Sequence, residues 1–145
     1  MSLDIIRLWH ERARPAPTDA DFNVQLGCHF EEIGEMIAVI GTDDVETQHY
    51  VNRALVSVLK LAEHLKSGGV VSVTDCKEFL DSLCDQVVTG VGVGHCAKVN
   101  VVEGVNRVNT SNWSKYDVDG QPIFHANGKI MKGPRYQPPV LEGLY

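Results

Sequence analysis

GCHFEEIGEMIAV, residues 27–39, places three carboxylates inside an apolar helical run that has no Lys or Arg at helical spacing. At about 100° per residue, Glu31, Glu32 and Glu35 fall within ~100° of arc, while Phe22, Leu26, Ile33 and Ile37 gather opposite. The segment therefore reads as a two-sided helix. An ordinary solvated face usually offers a cation four residues on, and this one offers none. The acidic face also carries Val24, Cys28 and Val39, which points to partial cover.

Outward from this helix the punctuation is helical. The first helix spans about Leu3 to Ala13 and ends at Pro15-Ala16-Pro17. Thr18 suits an N-cap for the acidic helix, which is expected to run to about Ile40 and close at Gly41. Asp43 and Glu46 have capping-box spacing for a third helix to about Lys66. Ser67-Gly68-Gly69 breaks the chain, and Thr74 or Asp75 caps a fourth helix ending among Gly90, Gly92 and Gly94. A fifth helix is expected over about 97–109, although Gly104 interrupts it. Beyond Asn109 the texture turns rich in Gly, Pro and Asn. There Asn127-Gly128 signals a two-residue hairpin of type I′, and the Pro-rich end is expected to lie extended over the body or over a neighbouring subunit. The expected fold class is all-α: about five helices in a bundle over roughly 1–110, then an irregular tail over 111–145 containing a short β-hairpin.

The 145 residues fit a single domain with a real core. The N-terminus, with charge in every turn, lacks the apolar stretch of a signal peptide, and no segment approaches the roughly 20 apolar residues of a spanning helix. No membrane partner and a cytoplasmic location are expected. Cys28, Cys76, Cys84 and Cys96 show no metal or disulfide spacing and read as reduced, with Cys84 in the core. A formal net charge of −6 argues against nonspecific nucleic-acid binding. That charge is uneven. From Pro15 to Asn52 there are eight acids and no Lys or Arg, whereas from Lys98 onward six cations face four acids.

The fourth helix repeats the acidic pattern, with Glu78, Asp81 and Asp85 within ~60° of arc, opposite Leu80, Leu83, Val87 and Val91. Carboxylate ligands without paired His or Cys suit Mg²⁺, with Mn²⁺ as a substitute, rather than zinc. The plain alternative for both faces is solvation.

Glu31-Glu32-Ile33-Gly34-Glu35 and Glu78-Phe79-Leu80-Asp81 resemble the EExxE and ExxD motifs of the all-α nucleoside triphosphate pyrophosphohydrolases, the MazG-like superfamily. SNWSK at 111–115 and NGKIMKGPRYQPP at 127–139 further resemble its phage and bacterial phosphoribosyl-ATP-diphosphatase-like branch. The resemblance covers roughly residues 22–139. It implies hydrolysis of a nucleoside triphosphate to a monophosphate and diphosphate, with Glu32, Glu35, Glu78, Asp81 and Asp85 as metal ligands and Glu31 as general base. Lys115, Lys129 and Lys132 would meet the phosphates, Asn112 and Tyr136 would bond phosphate or sugar, and Trp113 would stack on a base or plug the core. It also implies a dimer or tetramer, as the one-sided apolar helices suggest. The phage likeness points to nucleotide-pool editing of a purine deoxynucleotide such as dGTP, in the host cytoplasm if the chain is phage-encoded. The competing expectations are a phosphoribosyl-ATP pyrophosphohydrolase and a non-catalytic helical oligomerisation or binding module.

Overall fold

The computed structural model describes residues 3–145 as five α-helices, with no strand among them. They are α1 (Leu3–Ala13), α2 (Asp19–Ala38), α3 (Val45–Lys66), α4 (Cys76–Cys96) and α5 (Val101–Trp113). The chain divides into two compact units. One holds α2, α3 and the segments 17–71 and 125–129; the other holds α1, α4, α5 and most of the C-terminal tail.

Local chemistry sets each start. The Thr18 hydroxyl accepts from the Asp21 amide while the Asp21 carboxylate accepts from the Thr18 amide, a reciprocal capping box. The cap of α3 is Asp44 rather than Asp43, because its carboxylate is the one that reaches the Thr47 amide, at 2.7 Å. Asp75 accepts from the amides of Lys77 and Glu78 at the head of α4. The glycines at 90, 92 and 94 do not end α4. It runs on to Cys96 and stops where Lys98 takes φ 62°, with Lys98 N–H bonded to His95 O and Val99 N–H to Gly94 O. This is the Schellman arrangement, here with a lysine in the left-handed position glycine usually fills. Asn100 caps α5, which is shifted along the chain relative to expectation and carries Asn112 and Trp113 on its last turn.

In the α2–α3 unit the helices pack through glycine. A Cβ on Gly27 would sit 2.9 Å from the Ala62 carbonyl oxygen and 3.2 Å from Leu65 Cβ, and one on Gly34 would overlap the Leu59 side chain. The buried Asn23 side chain accepts from the Val71 amide at 3.2 Å and ties down the chain leaving α3. The other unit is centred on Trp9, Ala13 and Tyr116, with Trp113 and Ile130 against them. Trp9 and Tyr116 stack with ring centroids 5.8 Å apart, and the Tyr116 hydroxyl donates to Trp9 O at 2.6 Å. The tail runs extended along α5. Arg107 Nη1 donates to Val140 O, Ser111 Oγ donates to Gln137 O, and Asn100 N–H donates to Leu144 O.

The tail and Cys84 also depart from expectation. The tail forms no hairpin of strands, only an isolated antiparallel bridge between Phe124 and Ile130. Its turn is not type I′, since Gly128 has φ 84° while Asn127 does not share a positive φ. Bonds from Gly128 N–H to His125 O and from His125 N–H to Lys129 O close a three-residue loop instead. Cys84 is exposed, not in the core, and all four cysteines are free thiols.

Gly27→Ala should cost about 1–3 kcal/mol, because the Cβ meets a backbone carbonyl that cannot rotate away. Gly104→Ala, in the open interior of α5, should instead gain about 0.5–1 kcal/mol. Urea unfolding of the two variants reads both signs.

Candidate functional site

Gly27 and Gly34 lie one turn either side of Glu31, so the α2–α3 seam brings that carboxylate against α3 at one-quarter exposure. Lys66, in the last turn of α3, places its Nζ 2.6 Å from Glu31 Oε1. Lys129 places its Nζ 2.8 Å from Oε2. Each carboxylate oxygen therefore has its own ammonium group. Hydrogen bonding from Lys129, then from Lys66, holds the Glu31 carboxyl below the usual glutamate range, against a smaller opposing effect of burial. The same bond raises Lys129. Lys129 is itself held in place, because its amide donates to Asn127 Oδ1 at 3.1 Å and its carbonyl accepts from His125.

The acidic helix has no cation at i+4, as its sequence indicates, but tertiary structure supplies two from α3 and the 125–129 loop. The three glutamates thereby part company. Glu32 and Glu35 are exposed, and their carboxylates form no ion pair with the described residues. Glu32 nevertheless adds to the negative field around Lys129.

In the other unit, Glu78, Asp81 and Asp85 are exposed along α4 and likewise lack ion-pair partners among the described residues. Among the described residues no three His, Cys, Asp or Glu side chains are grouped closely enough to hold a metal ion. The Asn112 carbonyl accepts from Trp9 Nε1 at 2.9 Å. Trp113 meets Tyr116 edge-on, with centroids 5.6 Å apart, which places it as a plug at the core. Lys132 Nζ lies 4.7 Å from the Tyr136 ring centroid, and Lys115 Nζ lies 5.8 Å from that of Trp9. Two of the candidate lysines thus rest on aromatic faces, a contact that a stronger anion can outcompete.

A shallow depression of about 380 Å³ at the start of α3, lined by Asp44, Gln48 and Asn52 among others, lies at the loop end of the α2–α3 pair and includes none of these residues. Lys66 is the residue that sequence reading misses. A signal for it exists. Folding α3 back on α2 across the 39–44 connection puts the last turn of α3 beside Gly27, one turn from Glu31.

No family model, no curated protein and no solved structure matches the chain.

Because the folded Glu31 carboxyl titrates below its unfolded value, the stability it contributes is present above the ordinary glutamate range and is lost as pH falls through the folded value. For a partly exposed group this is at most about 1 kcal/mol. In Lys66→Met the Glu31 titration midpoint, followed by carboxyl ¹³C NMR, should move upward. An unmoved midpoint would show that the pair does not form in solution.

Proposed function

We propose that this chain is a metal-dependent nucleoside triphosphate pyrophosphohydrolase of the MazG-like type, converting a (d)NTP and water to a (d)NMP and diphosphate. One observation carries the proposal: two helices of one chain bear EExxE and ExxD carboxylates, and all of these but Glu31 stay exposed without ion-pair partners among the described residues. Like charges in series along one helix face repel one another, and a bound cation offsets that cost.

The donor set is all carboxylate oxygen, which fits Mg²⁺ and tolerates Mn²⁺. The resemblance implies as its ligands Glu32 and Glu35 on α2 and Glu78, Asp81 and Asp85 on α4; when bound, such an ion offsets triphosphate charge and lowers the pKa of a coordinated water. Glu31 would take the proton from the water that attacks the α-phosphorus, as the bond to the bridging oxygen of the β-phosphate breaks and diphosphate leaves. Its two lysines tune this step. A triphosphate competes for Lys66 and Lys129, and each ammonium drawn to phosphate returns proton affinity to Glu31, improving it as a base. Lys115 and Lys132 would leave their aromatic faces for the departing phosphates, with Asn112 and Tyr136 bonding phosphate or sugar. A purine deoxynucleotide such as dGTP is the proposed substrate, and a homo-oligomer the proposed working form.

The second reading is a non-catalytic helical module. What favours it is that both oxygens of Glu31 are already engaged, as a structural ion pair would have them.

A panel of the canonical NTPs and dNTPs with Mg²⁺ or Mn²⁺, resolving each phosphate product, separates the two. Monophosphate and diphosphate from a subset of nucleotides are expected, and Glu35→Gln or Asp81→Asn should lower kcat at least ~100-fold with the far-UV helical signal retained. Full turnover by either variant would remove that residue from the metal set. Turnover of phosphoribosyl-ATP alone would reassign the substrate, and none at all would favour the module.

A further inference from the structure

We propose that Asn127 is a site of spontaneous deamidation, and that the ion pair between Lys129 and Glu31 holds the reaction back. The bond that changes lies in the 125–129 loop, and its chemistry does not depend on nucleotide hydrolysis.

Asparagine deamidates by ring closure, in which the amide nitrogen of the next residue attacks the side-chain carbonyl carbon. A bulky residue in that next position shields the nitrogen. Of the seven asparagines in the chain, six precede Val, Arg, Thr or Trp, and Asn127 alone precedes glycine. The loop requires that glycine. Gly128 takes φ 84°, a conformation in which a larger residue would be strained, so the turn that forms here leaves the nucleophile unshielded. Asn127 is also exposed, between exposed Ala126 and the turn. When a solvent base removes the Gly128 amide proton, the nitrogen bonds to Asn127 Cγ and the Cγ–Nδ2 bond breaks, releasing ammonia and leaving a cyclic succinimide. Water then opens the ring. Opening at Cγ gives aspartate, and opening at the main-chain carbonyl gives isoaspartate, whose backbone is one carbon longer. The sum is one water consumed and one ammonia released, with no oxidation or reduction.

The closed loop resists this chemistry. Gly128 N–H donates to His125 O at 2.9 Å, Asn127 Oδ1 accepts from the Lys129 amide at 3.1 Å, and Lys129 O accepts from His125 N–H at 2.8 Å. The Gly128 nitrogen is therefore free to attack only when the loop opens locally. Lys129 Nζ, 2.8 Å from Glu31 Oε2, pins the loop to α2 one residue beyond the reacting bond, and both belong to one compact unit. Breaking that pair favours the open loop. The coupling runs the other way as well. Isoaspartate lengthens the backbone between His125 and Lys129, so the ammonium loses its register on Glu31. In either product a new carboxylate lies two residues from Lys129 and competes for it.

The test holds the full chain in warm, mildly alkaline buffer and follows it by peptide-mapping mass spectrometry, with isoaspartate read by enzymatic methylation. The urea-unfolded chain supplies the unrestrained rate. Conversion at Asn127 is expected, slower in the folded chain than in the unfolded one. Lys129→Met should convert ~2–5-fold faster than the wild type, the span that a partly exposed ion pair allows. Glu31→Gln, which breaks the same pair from α2, should do likewise, and far-UV circular dichroism checks that both variants keep their helices. In the aged wild type the Glu31 titration midpoint, followed by carboxyl ¹³C NMR, should move upward. No conversion at Asn127 in the folded chain, a folded rate equal to the unfolded one, rates unchanged in both variants, or a Glu31 midpoint that stays in place on ageing would each overturn the proposal.

Discussion

The close approach of α2 to α3 over Gly27 and Gly34 is the constraint on which the candidate site depends. Without side chains at those two positions the helix backbones come near enough for Glu31, between them on α2, to be carried to the edge of α3. Lys66 then lies within bonding distance, and Lys129 reaches the second oxygen from a loop whose carbonyl and amide are both fixed. The ionisation of Glu31 is therefore a consequence of helix packing. The residues that set its pKa lie 35 and 98 positions away in sequence.

The other unit is organised differently. Its buried core is small, with the indole of Trp9 stacked on Tyr116 and each polar tip of the pair bonded to a backbone carbonyl. Much of the remaining order comes from hydrogen bonds that strap an extended tail to α5 through Arg107, Ser111 and Asn100. Such bonds contribute about 0.5–1.5 kcal/mol each, so the tail is a distributed attachment rather than a single anchor. α4 shares little of this and presents both an acidic and an apolar face to solvent.

Features governed by neighbouring residues were legible in sequence. The bounds of α1, the Thr18 cap, a cap at Thr74 or Asp75, the stop after Lys66 and the two-sided character of α2 and α4 all follow from spacings of a few residues. What sequence did not reveal depends on distant partners or on a choice between equivalent local options. Asp43 and Asp44 are equally good caps by type, and only the Thr47 amide decides between them. Gly90 and Gly92 look like helix breakers, yet the positive φ that ends α4 falls on Lys98. Asn127-Gly128 fits a two-residue I′ turn as well as the three-residue loop that forms, in which Gly128 takes positive φ and Asn127 does not. Cys84 sits at the margin of an apolar stripe, and its exposure reflects how little of α4 is covered.

The proposed cleavage between the α and β phosphates is tested by turnover of dGTP in ¹⁸O-labelled water with Mg²⁺, with the products read by mass spectrometry. Attack at the α-phosphorus places one ¹⁸O in the nucleoside monophosphate and none in the diphosphate. Label in the diphosphate, or release of orthophosphate with a nucleoside diphosphate, would contradict the proposed reaction at its bond-making step.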